Sequence, residues 1–238
     1  MTERRGRIVV AAGTNGAGKS VIAGAFLAAR AKTVYFNPDL AAKAIVDKDG
    51  LTLPEANARA WNIGFDLLNR AIERNEDFSF ETTLGGNSIP QALLRAAAAG
   101  LDVYIFYVGL DSPERHIARV SARVARGGHA IPTAKIRERY SKSLANLIKL
   151  LAHAAEVRIY DNSEESADGT PRARHILSMT RRQIVNATVD DLLMRSPEWA
   201  KPIVAAAVQI HEQCGARSIS ESYSESHSES TTQRRRSD

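Results

Sequence analysis

Gly13, Gly18, Lys19 and Ser20 stand at the spacing G-x-x-x-x-G-K-[ST], directly behind the apolar run Ile8 to Ala12. That spacing is a P-loop. An anionic phosphate chain needs several N–H donors aimed inward, and glycines let the backbone wrap that closely. The whole cradle is Gly13, Thr14, Asn15, Gly16, Ala17, Gly18, Lys19 and Ser20. A helix opening at its end adds the positive end of its dipole. Lys19 reaches the β- and γ-phosphates, and the Ser20 hydroxyl is a ligand for Mg²⁺. By composition alone the pattern arises about once in a hundred chains of this length. The order strand, loop, helix makes coincidence rarer still, and a nucleoside triphosphate with Mg²⁺ is the expected ligand.

Phosphoryl transfer also needs an acceptor-orienting base and further phosphate clamps. In an open α/β sheet these lie just past the carboxyl ends of the strands. The residues there are Asp39, Glu81 with Thr82 and Thr83, Asp111, and Asp161 with Asn162. Asp39 is a candidate base, although an acid in a first helical turn is equally at home for dipole reasons. Glu81 is placed to hold a metal-bound water or the acceptor, or simply to cap a strand end. Arg115, Arg119, Arg123 and Arg126 recur at four, four and three residues and so share one helical stripe. Like charges packed so closely are destabilising unless an anion neutralises them. The stripe therefore has the electrostatics of a kinase lid, the alternative being a solvated face on which Glu114 is a partner.

The elements that must position these groups alternate regularly. Strands are expected at 8–12, 33–36, 78–80, 103–108 and 157–160, and the most apolar of them, Val103 to Val108, is expected at the sheet centre. Between them come a helix from the P-loop to about Ala31, one begun by Asn37-Pro38-Asp39, and one from Pro54 to about Asn75. The last carries Ala60, Ile63, Leu67, Leu68 and Ile72 at helical spacing. Further helices are expected over 88–99, 113–126 and 132–154. The pattern predicts an α/β P-loop NTPase/kinase fold: a five-stranded parallel sheet with helices on both faces. Residues 174–196 read as a strand and a helix, and Trp199 to Glu212 as a C-terminal helix. The expected organisation is a kinase domain over 1–186, a helical extension over 187–214 and a tail over 215–238. That tail, rich in Ser, Glu and Arg, is expected to be disordered.

Composition narrows the class further. The chain has 238 residues, 44% of them hydrophobic, enough for one buried core. A single cysteine, Cys214, excludes an internal disulfide framework and a cysteine-built metal site. No apolar run is long enough to span a bilayer. The basic start Met1 to Arg7 leads straight into the first strand with no secretory apolar segment, and a cytoplasmic location is expected. A formal charge of +5 suits phosphate-bearing substrates and leaves nucleic acid open as a partner. There is no N-K-x-D motif, no complete ABC signature and no apolar strand ending in an Asp-Glu pair, which argues against a guanine-selective switch and a motor ATPase.

The ordered set Gly13–Ser20, Phe36-Asn37-Pro38-Asp39-Leu40-Ala41, Phe78-Ser79-Phe80-Glu81-Thr82-Thr83-Leu84, Arg119 through Gly127-Gly128-His129, and Tyr160-Asp161-Asn162-Ser163 resembles the zeta-toxin family of P-loop kinases, in its small bacterial branch. The resemblance spans roughly residues 8 to 163. It implies transfer of the ATP γ-phosphate to a sugar hydroxyl, the family's acceptor being UDP-N-acetylglucosamine at the 3′-hydroxyl of the amino sugar. It places the family's catalytic Asp on Asp39, its substrate-holding Glu on Glu81 with Thr83, and its phosphate-clamping arginines in the region of Arg119, Arg123 and Arg126. It also implies a separate antitoxin protein as partner. The substrate-binding insertions of the family are short here. The other acceptors open to the same chemistry are a nucleic-acid end or a tRNA. The alternative outside catalysis is a regulatory module that binds ATP without turning it over.

Overall fold

The structure is a computed structural model that describes residues 4–22, 35–167 and 169–216. The helix expected to run to about Ala31 is described only over residues 19–22; its remainder, the strand residues Thr33 and Val34, and the tail beyond residue 216 lie outside the described residues. The first strand, β1 (Arg7–Ala12), is followed by β2 (Tyr35–Phe36), α1 (Pro38–Asp49), α2 (Leu53–Arg74), β3 (Phe78–Thr82), α3 (Ser88–Ala98), β4 (Asp102–Gly109), α4 (Pro113–Ala125), α5 (Thr133–Leu150) and β5 (Glu156–Asp161). The chain then adds β6 (Arg174–Thr180), β7 (Gln183–Ile184), α6 (Val189–Arg195), a 3₁₀ turn (Glu198–Ala200) and a last helix, α7, over 201–216.

The sheet order is β2-β3-β1-β4-β5-β6-β7. The first five strands in that row are parallel, as the sequence led us to expect, and the P-loop strand β1 lies between β3 and β4. The count of five is corrected to seven. Strand β6 adds antiparallel to β5 and β7 antiparallel to β6, making the sheet mixed. Their hairpin turns on Arg181 and Arg182, both at positive φ (44° and 71°). Such a two-residue turn ordinarily carries Asn-Gly, so the sequence held none of the usual hairpin signal.

Local chemistry accounts for the main boundaries. Asn37 caps α1, its Oδ1 accepting from the backbone N–H of Asp39 and Leu40 at 2.9 and 3.1 Å, with Pro38 opening the helix. Thr52 and Glu55 form a capping box at α2. Helix α2 buries Ala56, Ala60, Leu68 and Ala71, while Ile63 and Leu67 of the expected apolar stripe are exposed. The buried row passes through Gly64, where a Cβ would stand 2.5 Å from the Phe36 ring. Small residues are therefore what let the helix lie close; of the expected stripe Ala60 and Leu68 are buried and Ile72 packs against the core.

On one face of the sheet Ile8, Val10, Ile105, Tyr107 and Ile159 join a single large core with Leu68, Leu93 and Leu147. Ile203, Val204, Ala207 and Val208 of α7 enter that same core beside Ile176 and Met179. The Trp199 ring packs against Gly109, where a Cβ would come within 2.3 Å of it. Its indole N–H donates to Asp161 Oδ1 at 3.2 Å. Asp161 also accepts from Ser163 and faces Arg174, so its oxygens serve the join between β5 and the C-terminal elements.

Candidate active site

The loop after β1 is shaped by three glycines with positive φ: Gly13 at 136°, Gly16 at 86° and Gly18 at 89°. At Gly13 a Cβ would fall 2.1 Å from the carbonyl oxygen of Val108, so any other residue would push the loop off β4. At Gly16 it would meet the His116 carbonyl at 2.8 Å, and at Gly18 the Asn162 amide at 2.7 Å. The loop is pinned from outside as well. Asn162 Nδ2 donates to the Ala17 carbonyl at 2.8 Å, the His116 Nδ1–H donates to the Asn15 carbonyl at 2.9 Å, and Arg139 Nη1 donates to Asn15 Oδ1 at 2.8 Å. Burial pushes the His116 imidazole down to about 4, against the pull of the Asn15 carbonyl and with Lys19 and Arg119 adding to the depression. The ring is neutral at pH 7 and serves as a fixed donor.

Charged groups from four elements converge over this loop. Lys19 enters the helix that begins at its end and lies half-buried, its ammonium 3.5 Å from the Thr14 carbonyl. Desolvation lowers its pKa; Glu81 and Asp39 oppose that effect, and Arg123 and Arg139 reinforce it. Glu81 sits in β3 opposite Ala11 of β1, is buried, and its Oε1 has no hydrogen-bond partner among the described residues. The neighbouring Tyr35 hydroxyl is held above its ordinary value by burial and by that carboxylate. Asp39 stands in the first turn of α1 with its side chain 48% exposed, 3.8 Å from His129 Nε2. Thr83 is half-buried in the loop after β3, its hydroxyl accepting from the Gly85 N–H. That loop, with Leu84 at φ 52°, is tied down by Asn146 Nδ2, which donates to the carbonyls of Leu84 and Gly86 at 2.7 and 2.9 Å. Ser20 is exposed at the helix start, and the Thr14 hydroxyl is buried without a hydrogen-bond partner among the described residues.

The arginine stripe divides. Arg115 pairs with Asp111, its Nε 2.8 Å from Oδ1. Arg119 donates to Glu165 from Nε and Nη2, and its Nη1 is buried without a partner among the described residues. Arg123 donates from Nη2 to the His129 carbonyl at 3.2 Å, and its buried Nε likewise has no partner among the described residues. Arg126 caps the end of α4 with its side chain exposed.

The residues sequence reasoning missed are Arg139, Asn146, His116 and Asn162 as a pin of the loop. A signal existed for the first two. On α5, Ile136, Leu147 and Leu150 are buried, and Arg139, Ser143 and Asn146 interrupt that apolar row at helical spacing. Polar residues on an apolar stripe announce polar partners across the interface. Buried Ser143 meets the Tyr107 hydroxyl at 3.0 Å.

A triphosphate fits these residues: the glycine cradle, the unpaired Thr14 hydroxyl, Lys19 and two arginines with unpaired N–H groups are what an anion needs. The family model that matches the chain, over residues 1–168, is that of the zeta toxin. The chain belongs to the zeta-toxin family. A relative from Haemophilus influenzae, an uncharacterized protein, is 33% identical over 135 residues, covering 54% of this chain and 88% of its own. Among solved structures, the AvrRxo1-ORF1:AvrRxo1-ORF2 crystal structure with sulphate ions aligns with a TM-score of 0.54 at 15% identity, over 88% of this chain and 77% of that one. The same pair with ATP aligns equally, at 14% identity. A structure of the PezAT chromosomal toxin-antitoxin system of Streptococcus pneumoniae aligns with a TM-score of 0.51 at 13% identity, over 89% and 88% of the two chains. At these identities the structural likeness establishes a shared fold. Among the described residues no helix is long and apolar enough to cross a membrane, and no cluster of His, Cys, Asp and Glu forms a metal site.

Proposed function

We propose that the protein is an ATP-dependent phosphotransferase that moves the γ-phosphate to a hydroxyl of a small acceptor. The observation that carries this reading is the convergence of Asp39, Glu81, Arg123 and Arg139 on the environment of Lys19. A protein that only binds nucleotide needs the cradle and the lysine; it has no use for two carboxylates facing them. Membership of the zeta-toxin family and the structural likeness to a pair crystallised with ATP support the same conclusion.

In this reading Gly13 to Ser20 hold the phosphate chain through backbone N–H groups and the helix dipole. Lys19, Arg119, Arg123 and Arg139 neutralise the transferring group, with Arg126 at the edge of the cleft. Arg139, already bonded to Asn15, is oriented before any ligand arrives, so the stabilisation costs no reorganisation. Asp39 accepts the proton of the acceptor hydroxyl at a carboxylate oxygen. The acceptor is oriented by Glu81 Oε1 and Thr83. Ser20 is the residue that would hold Mg²⁺, which when bound offsets phosphate charge. Positioning and electrostatics supply most of the acceleration, because this transfer asks for little covalent chemistry.

For the acceptor we favour a UDP-amino sugar such as UDP-N-acetylglucosamine, with a separate antitoxin as protein partner; family membership and the likeness to a toxin-antitoxin structure support both. The test is incubation with γ-labelled ATP, Mg²⁺, a panel of UDP-sugars and an RNA oligonucleotide. Label on a UDP-amino sugar is the expected result. Label on RNA alone would transfer the reading to a nucleic-acid kinase, and ATP binding without turnover would replace catalysis by regulation.

A further inference from the structure

The segment between α4 and α5, residues 126–132, carries His129 to within 3.8 Å of Asp39. Gly127 has φ 89°, a conformation that turns the chain back after α4. Gly128 then lies directly on Arg123: an added Cβ would stand 2.7 Å from that side chain's Cγ and 3.0 Å from its carbonyl oxygen. Its N–H closes on the same carbonyl at 3.0 Å. The next residue presents its carbonyl to Arg123 Nη2 at 3.2 Å, and its imidazole Nε2 reaches to 3.8 Å from Asp39 Oδ1. Two glycines and one arginine thus form a clasp that delivers one side chain, His129, to one carboxylate. Its imidazole is 27% exposed, well covered for a loop side chain.

We propose that His129 is a positioning residue for Asp39. Resting on the reading of Asp39 as the base, this assigns the α4–α5 loop a part in the same site. A carboxylate at the start of a helix with half its surface in water has several rotamers open to it. A donor on Nε2 favours the one that turns Oδ1 toward the loop, and the other oxygen is then directed to the acceptor. The separation of 3.8 Å is longer than a hydrogen bond, and contacts of this kind in ligand-free sites tighten when substrates bind. Lys19, from the P-loop helix, is acted on by both Asp39 and Arg123, so the loop, the carboxylate and the P-loop lysine share one part of the cleft. The clasp also explains why Arg123 bonds a backbone carbonyl here. The arginine that steers the loop is the one that faces Lys19, so docking of the loop and of the phosphate chain draw on the same side chain.

The test is a double-mutant cycle on the full chain, with γ-labelled ATP and UDP-N-acetylglucosamine, counting label on the sugar and label released as phosphate together. His129→Ala is expected to lower kcat about 10- to 100-fold with KM for ATP within about twofold, the scale of a misplaced catalytic group. His129→Gln, whose amide nitrogen replaces Nε2, is expected to recover most of that loss. In an Asp39→Asn background His129→Ala is expected to change turnover by no more than about twofold, because residues acting as a unit are not additive. Hydrogen exchange over residues 126–132 gives a second readout, with His129→Ala and Asp39→Asn each releasing the loop and the double variant releasing it no further. Equal losses in both backgrounds, wild-type turnover in His129→Ala, or a Gln variant no better than Ala would each overturn the assignment while Asp39 keeps its place. Wild-type turnover in Asp39→Asn would instead remove the base, and with it this role.

Discussion

Lys19, Asp39 and Glu81 were singled out from sequence because each stands at or past the end of a strand, and strand ends in a parallel sheet open on one cleft. Arg139 was not, because it lies in mid-helix away from any strand end, and its one mark is that it interrupts the apolar row of α5. Its bond to Asn15 in the P-loop makes it testable. Arg139→Ala is expected to lower kcat about 100-fold or more, the scale for removing one preorganised charge donor. Arg126→Ala is expected to cost under tenfold, and steady-state kinetics at saturating ATP separates the two. His116 carries a pH prediction. Its imidazole titrates near 4 in the fold and near 6.5 when unfolded, so the unfolded chain takes up the proton first as pH falls. Stability is therefore complete above about pH 6.5 and is lost on acidification toward pH 4. Between pH 7 and 5 the wild type should lose about 2 kcal/mol more than His116→Gln in urea unfolding. Equal losses would mean that the ring is not held neutral.

At the scale of elements, helix starts were read well and closures poorly. Asn37-Pro38 and Pro54 are strong local signals, and the two helices begin at Pro38 and one residue before Pro54. The hairpin of β6 and β7 turns on two arginines, so only tertiary pairing with β5 reveals it. The loop after β3 has the same character: its shape depends on Asn146, more than sixty residues away. Asn146→Ala leaves the Leu84 and Gly86 carbonyls without that donor, at about 2–3 kcal/mol of stability. Because the loop carries Thr83, KM for the acceptor should rise as well. Chemical denaturation with acceptor titration checks both, and an unaltered KM would detach the loop from substrate binding.

For the molecule as a whole, the α/β class followed from alternation of period, which survives any local misreading. What the periodicity could not show is how far the core extends. The sequence suggested a helical extension over 187–214; Ile203 of α7 is fully buried in the core that it shares with the sheet. Ile203→Ala is expected to cost about 2–4 kcal/mol and to shift a single cooperative transition. A second, separate transition would mark an independent extension. The central claim is that the groups gathered around Lys19 perform phosphoryl transfer with Asp39 as base. Its most direct test is turnover of γ-labelled ATP by wild type and Asp39→Ala, with ATP affinity measured in parallel. We predict that transfer to the acceptor disappears in Asp39→Ala while ATP affinity stays within about threefold, since a group acting only in the transition state contributes little to ground-state binding. Retention of most of the wild-type kcat would contradict the assignment.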